Sequence, residues 1–339
     1  MQKKTILYIG NKLSNNGATV TSIETLGVFL EAESFDVYTA SSAENKFLRL
    51  LDMLFSVFRY SKKVSIVLID TYSTQNFYFA VIVAKVCRVL KVPYVPILRG
   101  GNLPSRLIKN NGLSLELFNG AKVNVAPSLY LKEAFKLEGY RNLSYIPNSI
   151  DIGKYPFLLR KNIQPNLLWV RSFAEIYNPE LAIQIVKELY DVGINATLTM
   201  VGPDKDGSLE KCKSLANEHK LPVSFTGKLE KNQWIDLSKS HDIFINTTNF
   251  DNTPVSVIEA MALGLPIIST NVGGIPYLIK NDTTGILVPP NDATEFVAAI
   301  YRLINDSELA SQLSMNARDL AEKYDWQEVK SLWLSLLSE

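Results

Sequence analysis

One stretch of the sequence, residues 241–280, constrains the fold more than any other. It holds two short apolar runs with strand character, Asp242–Asn246 and Pro266–Thr270, with a short helical segment between them. A strand, a helix and a second strand in this order make a β-α-β unit, the building block of a parallel sheet covered by helices. The chain is therefore predicted to belong to the α/β class.

The start of the helix in this unit has the features of an anion-binding site. Thr253 is a natural N-cap, and Pro254 suits the first helical turn. The first backbone N–H groups of a helix have no partner within it, and the helix dipole adds positive potential there. The pair Gly273-Gly274 after the second strand offers further uncovered amides at the edge where ligands of open α/β sheets bind. The free N–H groups of the helix start are those of Val255, Ser256 and Val257.

Two acidic residues frame the same helix. Asp251 lies in the loop before it, Glu259 lies in its second turn, and the run AMALGLPIIST and the glycine pair follow. This combination resembles the pattern of retaining GT-B glycosyltransferases of glycosyltransferase family 4 (glycosyl transferases group 1). In that family E-x7-E typically continues as E-A-M-A-x-G-x-P and then Gly-Gly. The resemblance implies a GT-B fold, in which two Rossmann-like β/α/β domains face each other across a cleft.

The resemblance also implies a function. It implies a hexosyltransferase that moves a sugar from a nucleotide-diphosphate sugar, with retention at the anomeric carbon, to a glycan or polyprenyl-linked acceptor, as in cell-surface polysaccharide synthesis. The nucleotide sugar is a substrate, and no cofactor is expected. Three alternatives stay open: a generic β-α-β unit without a ligand, a non-catalytic module that binds a nucleotide sugar, and a GT-B epimerase acting on a UDP-sugar.

The family's site residues transfer to this chain position by position. Arg171, at the end of a predicted strand, stands where the family has an arginine on the leaving diphosphate. Asp251 is expected to accept hydrogen bonds from the donor sugar, and Glu259 from the ribose. These three are the predicted catalytic residues and also bind the donor. The other predicted donor-binding residues are Gly17 (or a plain turn glycine), Gly202, Gly227, Thr253, Pro254, Val255 and Ser256.

Asp251 stands for the first glutamate of the pattern and is shorter by a methylene, and two further positions depart from the family pattern. Tyr177-Asn178 stands where Lys-Gly is usual on the diphosphate, and Arg99 stands where a histidine often precedes a glycine. We expect Arg99 to face the cleft and to replace the missing lysine in part. The alternative is a salt bridge with an acid of its own domain. The other residues predicted on the acceptor side are Asp70, Tyr72, Gly100 and Asn102.

The length of the chain predicts two domains, because 339 residues exceed one comfortable core. We expect an acceptor-side Rossmann-like domain over residues 1–150 and a donor-binding Rossmann-like domain over 151–320. By the resemblance, a helix over 321–339 returns to the first domain. Cys87 and Cys212 lie far apart in the sequence, which argues against a disulfide framework and favours a reducing compartment. A predicted strand directly follows the first five residues, so no signal peptide is expected there. A cytoplasmic location is therefore expected.

The segment Asp204-Lys205-Asp206 is a D-x-D pattern, which binds a divalent metal in a different glycosyltransferase fold. Here it precedes Gly207 and Ser208 at a predicted helix start, where aspartate is expected as a cap. We therefore expect no metal and a metal-independent enzyme.

Charge is distributed unevenly along the chain. Residues 1–150 hold 18 Lys and Arg against 10 Asp and Glu, a net +8, whereas residues 151–339 hold 17 against 24, a net −7. No nucleic-acid-binding motif accompanies the scattered basic residues, so nucleic acid is not an expected partner. The apolar and basic segment 46–63 has two interpretations. It is either a core helix with a solvated cationic edge or an interfacial helix on an anionic membrane, which implies a peripheral location on the inner face.

Overall fold

A computed structural model describes residues 4–13 and 21–338 of the protein. Contacts between residues divide the chain into two compact units, Met1–Ser149 together with Lys330–Glu339, and Ile150–Val329. Each unit is built on its own six-stranded parallel sheet. The predicted α/β class with two Rossmann-like domains is confirmed.

The first unit alternates strands and helices along the chain. Its strands are β1 (Thr5–Ile9), β2 (Asp36–Ala40), β3 (Ile66–Thr71), β4 (Tyr94–Leu98), β5 (Asn124–Ala126) and β6 (Leu143–Tyr145). Its helices are α1 (Ser22–Ala32), α2 (Lys46–Tyr60), α3 (Asn76–Val89), α4 (Leu103–Lys109), α5 (Asn111–Asn119) and α6 (Leu129–Leu137). The strands pair in the order β2-β1-β3-β4-β5-β6.

The central strands β3 and β4 are buried at every residue. Helices cover both faces of such a sheet, and for this reason both strands are continuous apolar runs rather than alternating ones. Phe77, Phe118 and Phe135 belong to the core of this unit, and the rings of Phe118 and Phe135 meet edge to face with centroids 4.9 Å apart. The two strands therefore hold the residues at their carboxyl ends on a well-packed support.

The second unit repeats this architecture. Its strands are β7 (Asn166–Val170), β8 (Thr197–Val201), β9 (Val223–Gly227), β10 (Ile243–Asn246), β11 (Ile267–Thr270) and β12 (Ile286–Val288). Its helices are α7 (Pro179–Asp191), α8 (Ser208–Glu218), α9 (Lys231–Ser238), α10 (Val255–Ala262), α11 (Ile275–Leu278), α12 (Ala293–Asn305) and α13 (Ser307–Glu322). The strands pair in the order β12-β11-β10-β7-β8-β9.

The last helix, α14 (Trp326–Ser338), contributes to both units. Trp326 donates its backbone N–H to the carbonyl of Ile150 in the second unit, at 2.8 Å. From Lys330 onward the helix belongs to the first unit, where the ammonium of Lys330 lies 3.2 Å from the carboxylate of Glu33.

The β-α-β unit predicted for residues 241–280 is present as β10, α10 and β11. Its helix begins one residue later than predicted. The N-cap is Pro254 and not Thr253, because Pro254 has extended dihedral angles (φ −68°, ψ 119°) and helical residues start at Val255. The helix ends before Gly264, as predicted. Gly264 has a φ of +76°, and a Cβ there would lie 2.6 Å from a backbone oxygen, so glycine is required.

The two cysteines are buried and free. Burial raises the pKa of the Cys87 thiol and of the Cys212 thiol to about 12. Both thiols therefore stay protonated and act as small apolar side chains. Among the described residues, no helix is both long and apolar enough to span a membrane.

Candidate functional site

The strand order of the second sheet reverses between β7 and β10, which are neighbours in the sheet. Strands on one side of this point follow β7 in the chain, and on the other side they follow β10. Ligands of open α/β sheets bind outside the carboxyl ends of the strands at such a switch point. Arg171 directly follows β7, and Asp251 lies in the loop that follows β10. Two of the predicted catalytic residues are thereby brought together.

Arg171 and Asp251 form an ion pair. Their side chains are only 16% and 14% exposed, so solvent screens the pair weakly. The guanidinium of Arg171 also lies over the ring of Tyr177, 4.2 Å from its centroid. Its Nε is buried and has no hydrogen-bond partner among the described residues. Burial lowers the pKa of Arg171 from its usual value, with Tyr177 opposing the shift, but an arginine remains charged.

The departure from Lys-Gly at Tyr177-Asn178 has a structural explanation. Asn178 adopts the left-handed conformation (φ 47°, ψ 56°) just before α7, and asparagine tolerates this conformation better than most residues with a side chain. The hydroxyl of Thr247 lies 3.0 Å from the carbonyl of Tyr177 and 2.8 Å from that of Asn178, and it accepts a hydrogen bond from Trp169. The turn is thus held by the end of β10. Tyr177 presents its ring to Arg171 where the family has a second cation.

The glycine pair supports the Asp251 loop, and the amide of Gly274 is used within the protein, which corrects part of one expectation. Gly274 donates its N–H to the carbonyl of Asp251 at 2.9 Å. A Cβ on Gly273 would lie 2.3 Å from that same carbonyl oxygen, and a Cβ on Gly274 would lie 2.0 Å from the carbonyl of Asn252. Only glycine allows this close approach of two backbone segments. The pair therefore fixes the position of Asp251.

The start of α10 offers fewer free amides than predicted. Val257 donates its N–H to the carbonyl of Pro254 at 3.1 Å, because the helix begins one residue late. The N–H groups of Val255 and Ser256 precede the first intrahelical bond. The hydroxyl oxygen of Ser256 is buried and has no partner among the described residues. Unpaired donors at this end of α10 come from Val255 and Ser256.

Glu259 is already engaged by two protein side chains, which the sequence did not suggest. The residue is 3% exposed, and its Oε1 accepts a hydrogen bond from the hydroxyl of Tyr155 at 2.7 Å. The same oxygen pairs with the ammonium of Lys231, whose side chain is 48% exposed and lies 5.6 Å from the centroid of the Trp234 ring. Burial and then the charge of Glu259 raise the pKa of Tyr155 well above its usual value, so the phenol remains a donor. The predicted hydrogen bonds from a donor ribose to Glu259 stay a prediction, and the two protein partners of its Oε1 are an addition to it.

Neither Tyr155 nor Lys231 carries a local sequence signal for this role. Tyr155 opens the run YPFLLRKNIQP, which has the composition of a linker, and Lys231 is the first residue of α9. Both reach Glu259 from distant parts of the chain through the folding of the second unit.

The two other predicted glycines of this unit lie beside Arg171. A Cβ on Gly202 would lie 1.7 Å from the carbonyl oxygen of Arg171, so no larger residue fits there. Gly202 donates its N–H to the carbonyl of Gly227 at 2.9 Å, and Gly227 has a φ of +71°. These glycines allow β8 and β9 to end close beneath the arginine. Gly17 lies outside the described residues.

The D-x-D segment caps a helix. Asp204 accepts backbone N–H bonds from Gly207 and Leu209 at 3.1 and 3.4 Å, and Asp206 accepts from the N–H of Ser208 at 3.2 Å. These are the bonds that aspartates make at a helix start. Within residues 4–13 and 21–338, no group of three or more His, Cys, Asp and Glu residues is placed to hold a metal ion.

In the first unit, the predicted acceptor-side residues Asp70 and Arg99 form a buried ion pair. The Nε of Arg99 lies 2.9 Å from Oδ1 of Asp70, and the side chains are 9% and 0% exposed. The two other guanidinium nitrogens donate to the side chains of Asn148 at 2.7 Å and Tyr8 at 3.2 Å. Burial raises the pKa of Asp70, and Arg99 and Tyr8 oppose that shift. The salt bridge within the unit, which was the alternative for Arg99, is what the structure contains.

The remaining acceptor-side predictions lie along the same sheet edge. Tyr72 follows β3, and burial raises its pKa. Gly100 donates its N–H to the carbonyl of Thr71, and a Cβ on it would lie 2.4 Å from the backbone nitrogen of Ser73. Asn102 is exposed at the start of α4. The ends of β3 and β4 thus bring Asp70, Tyr72, Arg99 and Gly100 together.

Comparison with known proteins bears on the second unit most directly. Residues 156–320 match the model of the family described as "Glycosyl transferases group 1". A sulfoquinovosyl transferase of Arabidopsis thaliana is 31% identical over 153 residues, which is 44% of this chain and 29% of that protein. An Escherichia coli UDP-Gal:alpha-D-GlcNAc-diphosphoundecaprenol alpha-1,3-galactosyltransferase is 23% identical over 194 residues, 52% of this chain and 49% of that protein. The matched part thus spans about half or less of the length of these curated relatives.

Solved structures resemble the chain over nearly its whole length. A sucrose-phosphate synthase from Thermosynechococcus elongatus superposes with a TM-score of 0.80 at 16% identity, covering 99% of this chain and 100% of that one. An Anabaena protein crystallised with UDP and glucose gives a TM-score of 0.77 at 17% identity, again over 99% and 100%. The predicted resemblance to group 1 glycosyl transferases and the predicted GT-B fold are confirmed.

Proposed function

From the match of residues 156–320 to group 1 glycosyl transferases, we propose that the protein moves a sugar from a nucleotide-diphosphate sugar to an acceptor hydroxyl. The second unit binds the donor and the first unit binds the acceptor. The observation that carries the proposal is the arginine at the switch point, which is buried, incompletely hydrogen-bonded and paired with an acid of the family pattern. A diphosphate is opposite in charge to a guanidinium and can accept two parallel hydrogen bonds from it.

Donor binding, on this proposal, exchanges the partners of the Arg171–Asp251 pair. The diphosphate takes the guanidinium, whose Nε is free to donate, and Asp251 turns to the hydroxyls of the donor sugar. Tyr177 keeps the guanidinium in place by stacking during the exchange. Val255 and Ser256 add backbone donors at the start of α10.

The transfer step proceeds with retention and without a protein nucleophile. The bond between the anomeric carbon and the diphosphate breaks, and the acceptor oxygen bonds to that carbon from the same face. The proton of the acceptor hydroxyl passes to a phosphate oxygen of the leaving group. The chain's own contribution is electrostatic, because Arg171 and the helix start face the charge that develops on the leaving group.

Glu259 binds the ribose hydroxyls in this proposal, and its two protein partners hold the carboxylate ready. Tyr155 and Lys231 fix one oxygen, and a carboxylate can accept further bonds on the other. Lys231 also brings a half-exposed cation to α10, in a chain where tyrosine replaces the usual second cation.

The remaining assignments belong to the same proposal. The ends of β3 and β4 form the acceptor side, with the Asp70–Arg99 pair as its frame. The acceptor is a glycan or a polyprenyl-linked sugar, as in the synthesis of cell-surface polysaccharides, and the reaction takes place in the cytoplasm. It needs no divalent metal, which is supported by the use of Asp204 and Asp206 as helix caps.

One alternative has an observation in its favour. A module that binds a nucleotide sugar without turnover is compatible with the replacement of the second cation by Tyr177. A screen of UDP-, GDP- and ADP-sugars by thermal shift identifies the donor first, because a ligand that binds the native state raises the melting temperature. Release of the nucleoside diphosphate, with and without glycan and polyprenyl-phosphate-linked acceptors, then separates the functions.

Transfer is supported if the sugar appears on an acceptor and Arg171→Ala abolishes the release of nucleotide. A binding module would raise its melting temperature with the same donor and release nothing. A UDP-sugar epimerase would release free epimerised sugar and glycosylate no acceptor. Either of the last two results overturns the proposal.

A further inference from the structure

Helix α2 of the first unit turns an apolar face to solvent. Its outward side chains are large, and they are between 46% and 67% exposed. Solvent-facing positions of a surface helix are ordinarily polar, because the apolar stripe of such a helix is packed on the core. The exposed side chains are Phe47, Leu48, Leu51, Phe55 and Phe58.

These five side chains share one side of the helix. They recur at spacings of three and four residues, so they span about 100° of the circumference at 3.6 residues per turn. The opposite side is the packed one, where Met53 and Val57 are buried in the core of the unit. Arg49 lies on that inner side and donates to the carbonyls of Ala43 and Glu44. The exposed stripe is therefore a second apolar face, additional to the one that the fold uses.

The charges around this face are predominantly positive. Lys46 lies at the start of the helix, and Arg59, Lys62 and Lys63 are exposed at and beyond its end. The exposed acids of the same segment are only Glu44 and Asp52, which leaves a net charge of +2 over these six side chains. The unit that carries the helix has the basic half of the sequence.

We propose that α2 lies in the plane of an anionic lipid surface, with its exposed apolar face inserted at the boundary between headgroups and acyl chains. Aromatic and leucine side chains on one face and lysines at both ends are the features of an interfacial helix. The long lysine and arginine side chains reach the headgroups while the rings enter the apolar layer. A second copy of the chain is a poorer occupant, because like charges at both ends of the helix would meet. This proposal goes beyond sugar transfer and does not depend on it.

Flotation of the full-length chain with vesicles tests the proposal. We expect binding to vesicles of phosphatidylcholine and phosphatidylglycerol in about equal parts, and much weaker binding to phosphatidylcholine alone. The variant Phe55→Ser/Phe58→Ser should lower the partition coefficient by about tenfold or more, since two rings no longer enter the apolar layer. The variant Lys62→Glu/Lys63→Glu should lower it by a similar factor on anionic vesicles only, and the wild-type binding should weaken as salt is raised.

Matched controls lie at the other edge of the same sheet and elsewhere in the unit. Leu137→Ser removes an apolar side chain that is 86% exposed, on α6 between β5 and β6. Lys109→Glu/Lys136→Glu reverses two exposed charges outside α2. Both controls should bind vesicles like the wild type. All substituted side chains are exposed, so melting temperatures should stay close to that of the wild type.

Three outcomes overturn the proposal: no binding to anionic vesicles, equal loss of binding in the controls and the α2 variants, or self-association of the wild type that Phe55→Ser/Phe58→Ser abolishes. The last result would assign the face to a second copy of the chain. If the serine variant folds poorly, the charge-reversal pair alone decides between the outcomes.

Discussion

The two units each carry a buried arginine–carboxylate pair at the carboxyl end of their central strands, and the two pairs differ in how fully the arginine is satisfied. Arg99 uses all three of its nitrogens, on Asp70, Asn148 and Tyr8. Arg171 pairs with Asp251 and stacks on a ring, and its Nε has no partner among the described residues.

For the two arginines, this difference separates a structural role from a binding role, although Oδ2 of Asp70 is buried and has no hydrogen-bond partner among the described residues. A buried guanidinium whose three nitrogens are all hydrogen-bonded, as in Arg99, would lose bonds by turning to a ligand. A buried guanidinium with an unpaired N–H, as in Arg171, gains a hydrogen bond when a ligand binds. The same residue type, at the carboxyl end of a central strand in each of two parallel sheets, is therefore expected to serve stability in one unit and binding in the other.

The largest expected effect tests the first half of the comparison. Arg99→Ala removes one partner of a buried pair and leaves Asp70, whose side chain is 0% exposed, without a counter-charge. We expect the free energy of unfolding to fall by about 3–5 kcal/mol, as is common when one member of a buried pair is lost. Chemical denaturation measures it. The double variant Arg99→Ala/Asp70→Asn should recover part of the lost stability. If Arg99→Ala alone is as stable as the wild type, Arg99 has no structural role.

The second half of the comparison predicts a loss of rate in addition to a loss of stability. Arg171→Ala should lower kcat about 10²–10³-fold, because it removes the donor that we propose to face the leaving group. The melting temperature should also fall, since Asp251 loses its counter-charge. Initial rates of nucleotide release with the donor found by thermal shift provide the measurement. If Arg171→Ala melts much earlier and turns over normally, the assignments of the two arginines must be exchanged.

The pair in the first unit should also be sensitive to pH. Burial raises the folded-state pKa of Asp70, so the native state binds more protons than the unfolded state at pH values between the two pKa values. Stability from this group therefore decreases as pH rises from about 4, the usual aspartate value, through the raised value. In Arg99→Ala the folded-state pKa of Asp70 should rise further, because the guanidinium no longer opposes the effect of burial. The stability gap between Arg99→Ala and the wild type should accordingly narrow at low pH, and a gap independent of pH would argue against a buried unpaired carboxylate.

A smaller effect is expected at Tyr177. Tyr177→Ala removes the ring under the Arg171 guanidinium, which should weaken donor binding by about 0.5–2 kcal/mol. Tyr177→Phe keeps a ring in the same place and is the matched control, with nearly unchanged affinity. Calorimetric titration with the donor measures both. Equal losses in the two variants would show that the hydroxyl matters and the stacking does not.

The smallest effect should come from chelation. The aspartates of the D-x-D segment already accept backbone N–H bonds, so EDTA should leave the rate of sugar transfer unchanged. A complete loss of activity that magnesium or manganese restores would place a metal in the reaction.

Much of the fold was predictable from local patterns. The β-α-β unit over residues 241–280, with a stop at Gly264, follows from period, composition and the backbone demands of glycine, which are properties of a few adjacent residues. The proximity of Arg171 to Asp251, an acid of the family pattern, could also be predicted from the order of strands and loops. Strand ends in a parallel sheet meet at one edge, so residues that follow strands are brought together.

Only the tertiary structure decided which side chains of the candidate site have hydrogen-bond partners within the protein. Glu259 is bonded to Tyr155 and Lys231, which are 104 and 28 positions away in the chain, and no local sequence pattern predicts either partner. The glycine pair proved to support the Asp251 loop, since the approach of two backbone segments depends on how both are packed. The sequence by itself determined the class of fold and the residue types at the sheet edges. Hydrogen-bond satisfaction and solvent exposure depend on distant neighbours, and for this reason the roles of the two arginines and the exposed face of α2 emerged only from the folded chain.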